Sequence, residues 1–406
     1  MNEKLQKIRQ QFPILNCEVN GKPLVYLDNA ATTQKPQSVI DRITRYYMEE
    51  NSNVHRGLHH LSQVGTAAFE ESRRAFQKFL NSELAEEVIF TKGTTESINL
   101  LAFSFGEAFI HEGDEIVVSV MEHHANIVPW QQLCGRTGAV LKVVPVNDAG
   151  ELDMEAYKKL LGPKVKLVSI AHVSNTLGTV NPVAEIVRLG HETGAMVHLD
   201  GAQAAAHVPV DVRALDVDFY SLSVHKMYGP MGVGILYGKA DLLNAMPPWQ
   251  TGGEMIDKVT FEKTTFADLP YKFETGTPDV AGVLASVPAL EFLQAVGWDF
   301  IAEREHALVK YATEKLEQID GVSLVGTAKE KGGVVSFNLE GVHSADAATI
   351  FDHFGVAVRS GHHCAQPIMA RYGITGTLRA SFAVYNTEEE IDVLVKAIEK
   401  TVQMFG

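Results

Sequence analysis

Residues 195–203 read "AMVHLDGAQ". An apolar run that ends on a carboxylate, Asp200, and then on small residues has the pattern of a strand buried on both faces. Its polar end marks the rim of a sheet. The same design recurs along the chain. "EEVIFT" (86–91) leads to the helical pattern "TTESINLLAFSFGEAFI" (94–110), and "DEIVVSVMEHH" (114–124) leads to a helix near "IVPWQQLCGRTG" (127–138). "VKLVSIAHVSN" (165–175) precedes "PVAEIVRLGHETG" (182–194), and "DFYSLSVHK" (218–226) and "GVGILYG" (232–238) close the series. Continuous Val/Ile/Leu runs, in place of strict alternation, predict a mostly parallel α/β sheet covered by helices. The carboxyl ends of its strands would face a ligand.

The pattern changes after about residue 290. A long helix, "WDFIAEREHALVKYATEKLEQI", is followed by "GVSLVG", "GGVVSFNLEG", the helix "SADAATIFDHFG", "VAVRSG", "TLRASFAVYN" and a last helix, "EEEIDVLVKAIEKTVQMF". That order predicts a smaller α+β domain. With no repeat or low-complexity linker the boundary is soft; the expected division is a large domain over 26–290 and a small one formed by 1–25 with 291–406. The net charge of −15 gives a nucleic-acid partner little electrostatic support. Three distant cysteines, Cys17, Cys134 and Cys364, make neither a disulfide framework nor a zinc ribbon. No apolar stretch approaches the roughly 18 residues of a membrane span. "MNEKLQKIRQQFPIL" reads as a short amphipathic helix without the features of a signal peptide, so a cytoplasmic location is expected.

Asp200 alone reads as a cap. "SVHK", with Ser223, His225 and Lys226 in another loop at a strand end, shifts the balance. A lysine there, with a strand-end acid nearby, fits a Schiff-base lysine and a pyridinium partner. In "TKGTTESINL", Gly93, Thr94 and Thr95 open a helix whose free N–H groups suit a phosphate, although the run is not a Walker loop.

With these three loops in order, the chain resembles the aminotransferase class V group of fold-type I pyridoxal phosphate enzymes. More closely it is similar to SufS-type (group II) cysteine desulfurases, which overlap with selenocysteine lyases. The motifs that carry the likeness include "VYLDNAATTQKP", "NVHRGLHHLS", "MEHHANIVPWQ", "HVSNTLGT", "SVHKMYGPMGVGILYG", "GGEMI", "FETGTP" and "VRSGHHCAQP". The resemblance implies a large domain with a mostly parallel seven-stranded sheet. It also implies that Lys226 carries pyridoxal 5'-phosphate and shuttles the substrate α-proton. Asp200 would pair with the ring nitrogen, Gln203 reach the phenolic oxygen, and His123 stack on the ring. Thr95, Ser223 and His225, helped by Thr94, would hold the phosphate. Thr277 would reach the phosphate of a neighbouring subunit, which implies a homodimer. Arg379 with Asn175 would clamp the carboxylate of L-cysteine. His55 and Arg56 are active-site or interface candidates, whereas His59 and His60 read as ordinary loop histidines. Between His123 and His124 only the resemblance chooses.

"SGHHCAQP" (360–367) remains. His362 and His363 are adjacent, so an extended segment turns them to opposite faces, and no other cysteine is spaced to complete a metal site. Gly361 and Pro367 frame a short loop, not a core strand, which favours Cys364 as a nucleophile. Arg359 or a protonated histidine nearby would raise its thiolate fraction. By resemblance, Cys364 takes the substrate sulfur as a persulfide, alanine leaves, and the sulfur passes to a SufU-like or SufE-like acceptor for iron–sulfur cluster assembly, with the likeness tilting toward SufU. A selenocysteine lyase using the same site is the alternative.

Overall fold

A computed structural model describes residues 3–405. The main sheet has seven strands: β1 (Val88–Thr91), β2 (Glu115–Ser119), β3 (Val140–Val144), β4 (Val165–Ala171), β5 (Met196–Asp200), β6 (Phe219–Ser223) and β7 (Gly234–Gly238). Their spatial order is β1-β7-β6-β5-β4-β2-β3. Strands β2 to β6 run parallel, and only β7 is antiparallel to its neighbours β1 and β6. Every residue of β6 and β7 is buried, as the uninterrupted apolar runs require. The edge strand β3, "VLKVV", was not read from the sequence. It lies against a single neighbour and leaves Val140 and Val143 exposed, so it lacks the signature of a doubly covered strand.

Helices cover both faces. Thr94–Phe109 turns Ile98, Leu101 and Phe105 onto Phe219 and Leu236 of the sheet. On the other side, Val280–Val296 is apolar nearly all round and packs within the largest cluster, beside Tyr228 and Phe12. No single helix among the described residues is long and apolar enough to cross a membrane.

A second, antiparallel sheet holds β8 (Val322–Val325), β9 (Val334–Leu339), β10 (Arg359–Gly361) and β11 (Thr377–Ser381) in the order β8-β9-β11-β10. Its core joins Leu308, Phe337, Phe351 and Leu394. The run "VAVRSG" divides: Val356–Ala357 pairs in parallel with Val25–Tyr26, and Arg359–Gly361 enters the sheet. The N-terminal segment reaches both cores, with Ile8, Phe12 and Leu15 in the larger and Val25 and Leu27 in the smaller. It thereby delivers Asp28 to the end of β11, where Asp28 bridges Ser381.

Gly234 opens β7 opposite both Thr91 and Ser223. A Cβ there would lie 2.3 Å from Gly93 Cα, at the start of the helix that the sequence marks as a phosphate seat. Backbone cannot yield as a side chain can. Gly234→Ala should therefore cost about 1–3 kcal/mol in urea unfolding and weaken phosphate retention; an unchanged midpoint would contradict this packing.

Candidate active site

The parallel topology brings the ends of β4, β5 and β6 side by side. Ala171 is in register with Asp200, and Asp200 with Ser221. Above these ends lies a cavity of about 330 Å³, lined by Thr94, Thr95, His123, Asn175, Asp200, Gln203, Ser223, His225, Lys226, Arg359, Cys364 and Arg379. Twelve positions singled out in the sequence thus meet in one place.

The floor is dry. Asp200 is 5% exposed, and its Oδ1 accepts a single bond, from the Ala202 N–H at 2.9 Å. Burial pushes its carboxyl up, against the pull of that N–H and of the Lys226 charge. Burial also lowers Lys226, to about 8; Asp200 raises it, and Arg379 and Arg359 lower it further. Among the described residues nothing forms a hydrogen bond with the Lys226 amine. His123 is pulled to about 4, first by burial and then by the Lys226 charge. Its Nδ1 accepts the Ala125 N–H at 3.0 Å, so the neutral ring carries its proton on Nε2.

At the other end Thr94 N–H donates to Ser223 Oγ at 2.9 Å, which also contacts Thr94 Oγ1 at 2.9 Å. The N–H groups of Thr95 and Glu96 have no acceptor among the described residues, and neither has His225 Nδ1, which is buried. A pyridoxal phosphate fits what is left open. The free helix N–H groups and Thr95 would take the phosphate, the unbonded Asp200 oxygen the ring nitrogen, and the Lys226 amine the aldehyde. Gln203 has one N–H committed to Ala30 O at 2.7 Å and a second to give.

Arg379 is 2% exposed. Its Nη1 donates to Asn175 O at 2.8 Å and its Nη2 to Asp28 Oδ1 at 3.3 Å, while Nε is buried without an acceptor. The Asn175 side chain donates to His363 O at 2.8 Å, so it steadies the Cys364 loop as well as lining the cavity. That loop is also held by His124 N–H on Cys364 O at 2.6 Å and by Gln366 N–H on His124 Nε2 at 3.1 Å. Gly361, His363 and Cys364 all have positive φ, at 111°, 51° and 53°. This tight turn buries the His363 ring against Thr377 and leaves the Cys364 thiol exposed. The His362 ring lies instead beside His124, centroids 5.6 Å apart.

Three candidates lie elsewhere. Thr277 and His55 line a neighbouring cavity with Glu254 and Tyr271. There His55 Nε2 meets Glu70 at 3.0 Å, and Arg56 pairs with Glu254. His59 caps the helix His60–Leu80 by accepting the Ser62 N–H. Sequence reasoning missed Asp28, which pairs with both Arg359 and Arg379. It also missed Lys35, whose amine donates to the carbonyl of His225 at 2.7 Å, next to Lys226. Both stand in the quoted run "VYLDNAATTQKP", but nothing local assigns them a partner.

Comparison with known proteins agrees with this geometry. The family described as Aminotransferase class-V matches residues 25–394. This chain belongs to that family. A cysteine desulfurase from Synechococcus elongatus is 51% identical over 98% of this chain, which spans 63% of that protein. A probable cysteine desulfurase from Halalkalibacterium halodurans is 49% identical over 98% of each chain. Among solved structures, the Escherichia coli cysteine desulfurase CsdA, in an S-sulfonic acid form, superposes with a TM-score of 0.92 at 38% identity, covering 100% of both chains. The fold is therefore that of the fold-type I class V enzymes, as expected.

Burial disfavours the charged amine, so Lys226 should be largely neutral at a pH where an ordinary lysine is not. With a pKa of about 8, its neutral fraction rises from about one tenth at pH 7 to about nine tenths at pH 9. Cofactor-stripped protein should accordingly capture added pyridoxal phosphate up to roughly tenfold faster across that span, followed by visible absorbance. A midpoint at the ordinary lysine value would show the amine to be hydrated.

Proposed function

We propose that this chain is a pyridoxal-phosphate-dependent cysteine desulfurase of the SufS type, which converts L-cysteine to L-alanine and leaves a persulfide on Cys364. The observation that carries this reading is the exposed Cys364 thiol, on a pinned loop that lines the same cavity as the partly buried Lys226. An aminotransferase has no use for such a thiol.

Bound pyridoxal phosphate supplies an electron-accepting ring. Asp200 keeps its charge at the ring nitrogen. Arg379 binds the substrate carboxylate; two of its nitrogens are already fixed and Nε is unpaired, so little ordering remains. Lys226 takes the proton from the substrate Cα, a duty suited to an amine with a pKa of about 8. His123, neutral at physiological pH, holds the Nε2 proton within the cavity. Cys364 Sγ attacks the substrate sulfur. The Sγ–S bond forms, and the Cβ–S bond breaks with its electron pair going to carbon. Protons released from Cα and the two thiols return to Cα, Cβ and the persulfide, so the step balances as alanine leaves.

The sulfur then passes to an acceptor protein, SufU-like or SufE-like, for iron–sulfur cluster assembly in the cytoplasm. A loop pinned at the His363 and Cys364 carbonyls supports an acceptor that comes to the sulfur, not a cysteine that travels. Thr277 and His55, gathered in the second cavity, are proposed to complete the site of a neighbouring subunit in a homodimer.

Incubation with L-cysteine should add the mass of one sulfur to the intact chain and release alanine. In Cys364→Ala both should be lost while the visible cofactor band stays. A sulfur adduct that persists in this variant would place the nucleophile elsewhere.

A further inference from the structure

A seam of buried polar side chains crosses the sheet one layer beneath the cavity. Ser169 on β4, His198 on β5 and Ser221 on β6 sit two residues before Ala171, Asp200 and Ser223, so each shares a face with a residue that lines the cavity. Ser169 Oγ lies 2.7 Å from His198 Nδ1, and His198 Nε2 lies 2.9 Å from Ser221 Oγ. Ser169 in turn donates to Asn126 Oδ1, which also accepts Trp130 Nε1–H at 3.0 Å. Indole N–H can only donate, so the Asn126 amide has one orientation. Its Nδ2 donates to Glu122 Oε2 at 2.7 Å.

Glu122 closes the seam. It is fully buried, and Oε1 also accepts Ser119 Oγ–H and the Ala171 N–H, the latter at 3.1 Å. One carboxylate thus joins the end of β2, the end of β4 and the last residue of the 3₁₀ turn His124–Asn126. The segment it anchors has two outputs. His123 lines the cavity, and His124 holds the Cys364 loop through its N–H and its Nε2.

We propose that Glu122 is a positioning residue that fixes, through this one turn, both the His123 ring over the cofactor and the loop that presents Cys364. This deepens the desulfurase reading and rests on it for the roles of His123 and Cys364. Burial pushes the Glu122 carboxyl up to about 7, against the pull of its three donors, Ser119 foremost, and with a further push from Asp200. Its acceptor role depends on the three donors around it. A glutamine in its place can satisfy Asn126 or Ala171, but either way one buried N–H is left without an acceptor.

The test compares holoenzyme carrying Glu122→Gln with wild type and with the exchange Glu122→Gln/Asn126→Asp, which returns an acceptor pair to the seam but forgoes the 3.2 Å Asn126 contact with Ser169 O. Three quantities are read: the visible circular dichroism of the bound cofactor, the rate at which iodoacetamide alkylates Cys364, and turnover of L-cysteine. The single variant should shrink the dichroic band, speed alkylation several-fold and slow turnover about tenfold or more, the scale of one unsatisfied buried donor. The exchange should move all three back toward wild type. Ser119→Ala removes one donor to Glu122 and forgoes only the longer 3.3 Å contact that the Met121 N–H makes with Ser119 Oγ. It should show a weaker form of the same pattern, and it serves if the glutamine variant does not fold. A lowered melting temperature with an unaltered band and alkylation rate would reduce Glu122 to a structural residue and overturn the proposal. So would an exchange no better than the single variant. Band and alkylation report on Glu122 even if wild type fails to process L-cysteine, so the two readings fail separately.

Discussion

Burying an amine and a carboxylate in one cavity without pairing them directly is the constraint on which the site depends. Lys226 and Asp200 each lose water, and each feels the other's charge without forming an ion pair. Incompletely compensated burial of this kind costs several kcal/mol per ion in principle. The fold bears it because large apolar clusters pack on the sheet, while the polar seam of Ser169, His198 and Ser221 beneath the cavity is hydrogen-bonded within itself. A ligand that brings an acceptor for the amine and a donor for the acid would complete this floor, and an aldehyde on a protonated pyridine ring has both.

Topology converts that constraint into an address. Parallel strands place their carboxyl ends on one edge, and the single reversed strand, β7, brings the glycine at its own start to the same edge. Close approach of Gly234 to Gly93 then sets the helix start against Ser223. Helix start, acid and lysine therefore owe their spacing to sheet register, which tolerates little slip. Cys364, the proposed nucleophile, comes from a loop of the other sheet, and hydrogen bonds from Asn175 and His124 stitch that loop to the first.

Much of this was legible in the chain. Asp200 and Lys226 stand out because each ends an apolar run where a charge is otherwise costly, and "GTTES" because glycine and threonine open a helix. The outcome for His123 and His124 shows where such reading stops. Both belong to one short motif, yet one lines the cavity and the other secures Cys364 from 240 residues away, a division that falls where extended backbone at His123 passes into the 3₁₀ turn beginning at His124. Glu122 was invisible for the same reason: a carboxylate beside two histidines reads as polar loop until the strands that donate to it are known. Strand β3 escaped because an edge strand need not be apolar on both faces.

Asp28 makes the point in electrostatic form. It accepts from Arg359 at 3.0 Å and from Arg379 at 3.3 Å, residues more than 300 positions away that converge only through the pairing of Val25–Tyr26 with Val356–Ala357. Burial pulls Arg379 down to about 10, Asp28 lifts it, and Arg359 lowers it again. One carboxylate cannot neutralise two guanidinium groups, so the trio carries a single unmatched positive charge at the cavity wall. Its buried, unpartnered Nε belongs to the more enclosed arginine. A second carboxylate, brought by a ligand, would complete both the charge and the hydrogen bonding there, which supports the proposed amino-acid substrate at this end of the cavity.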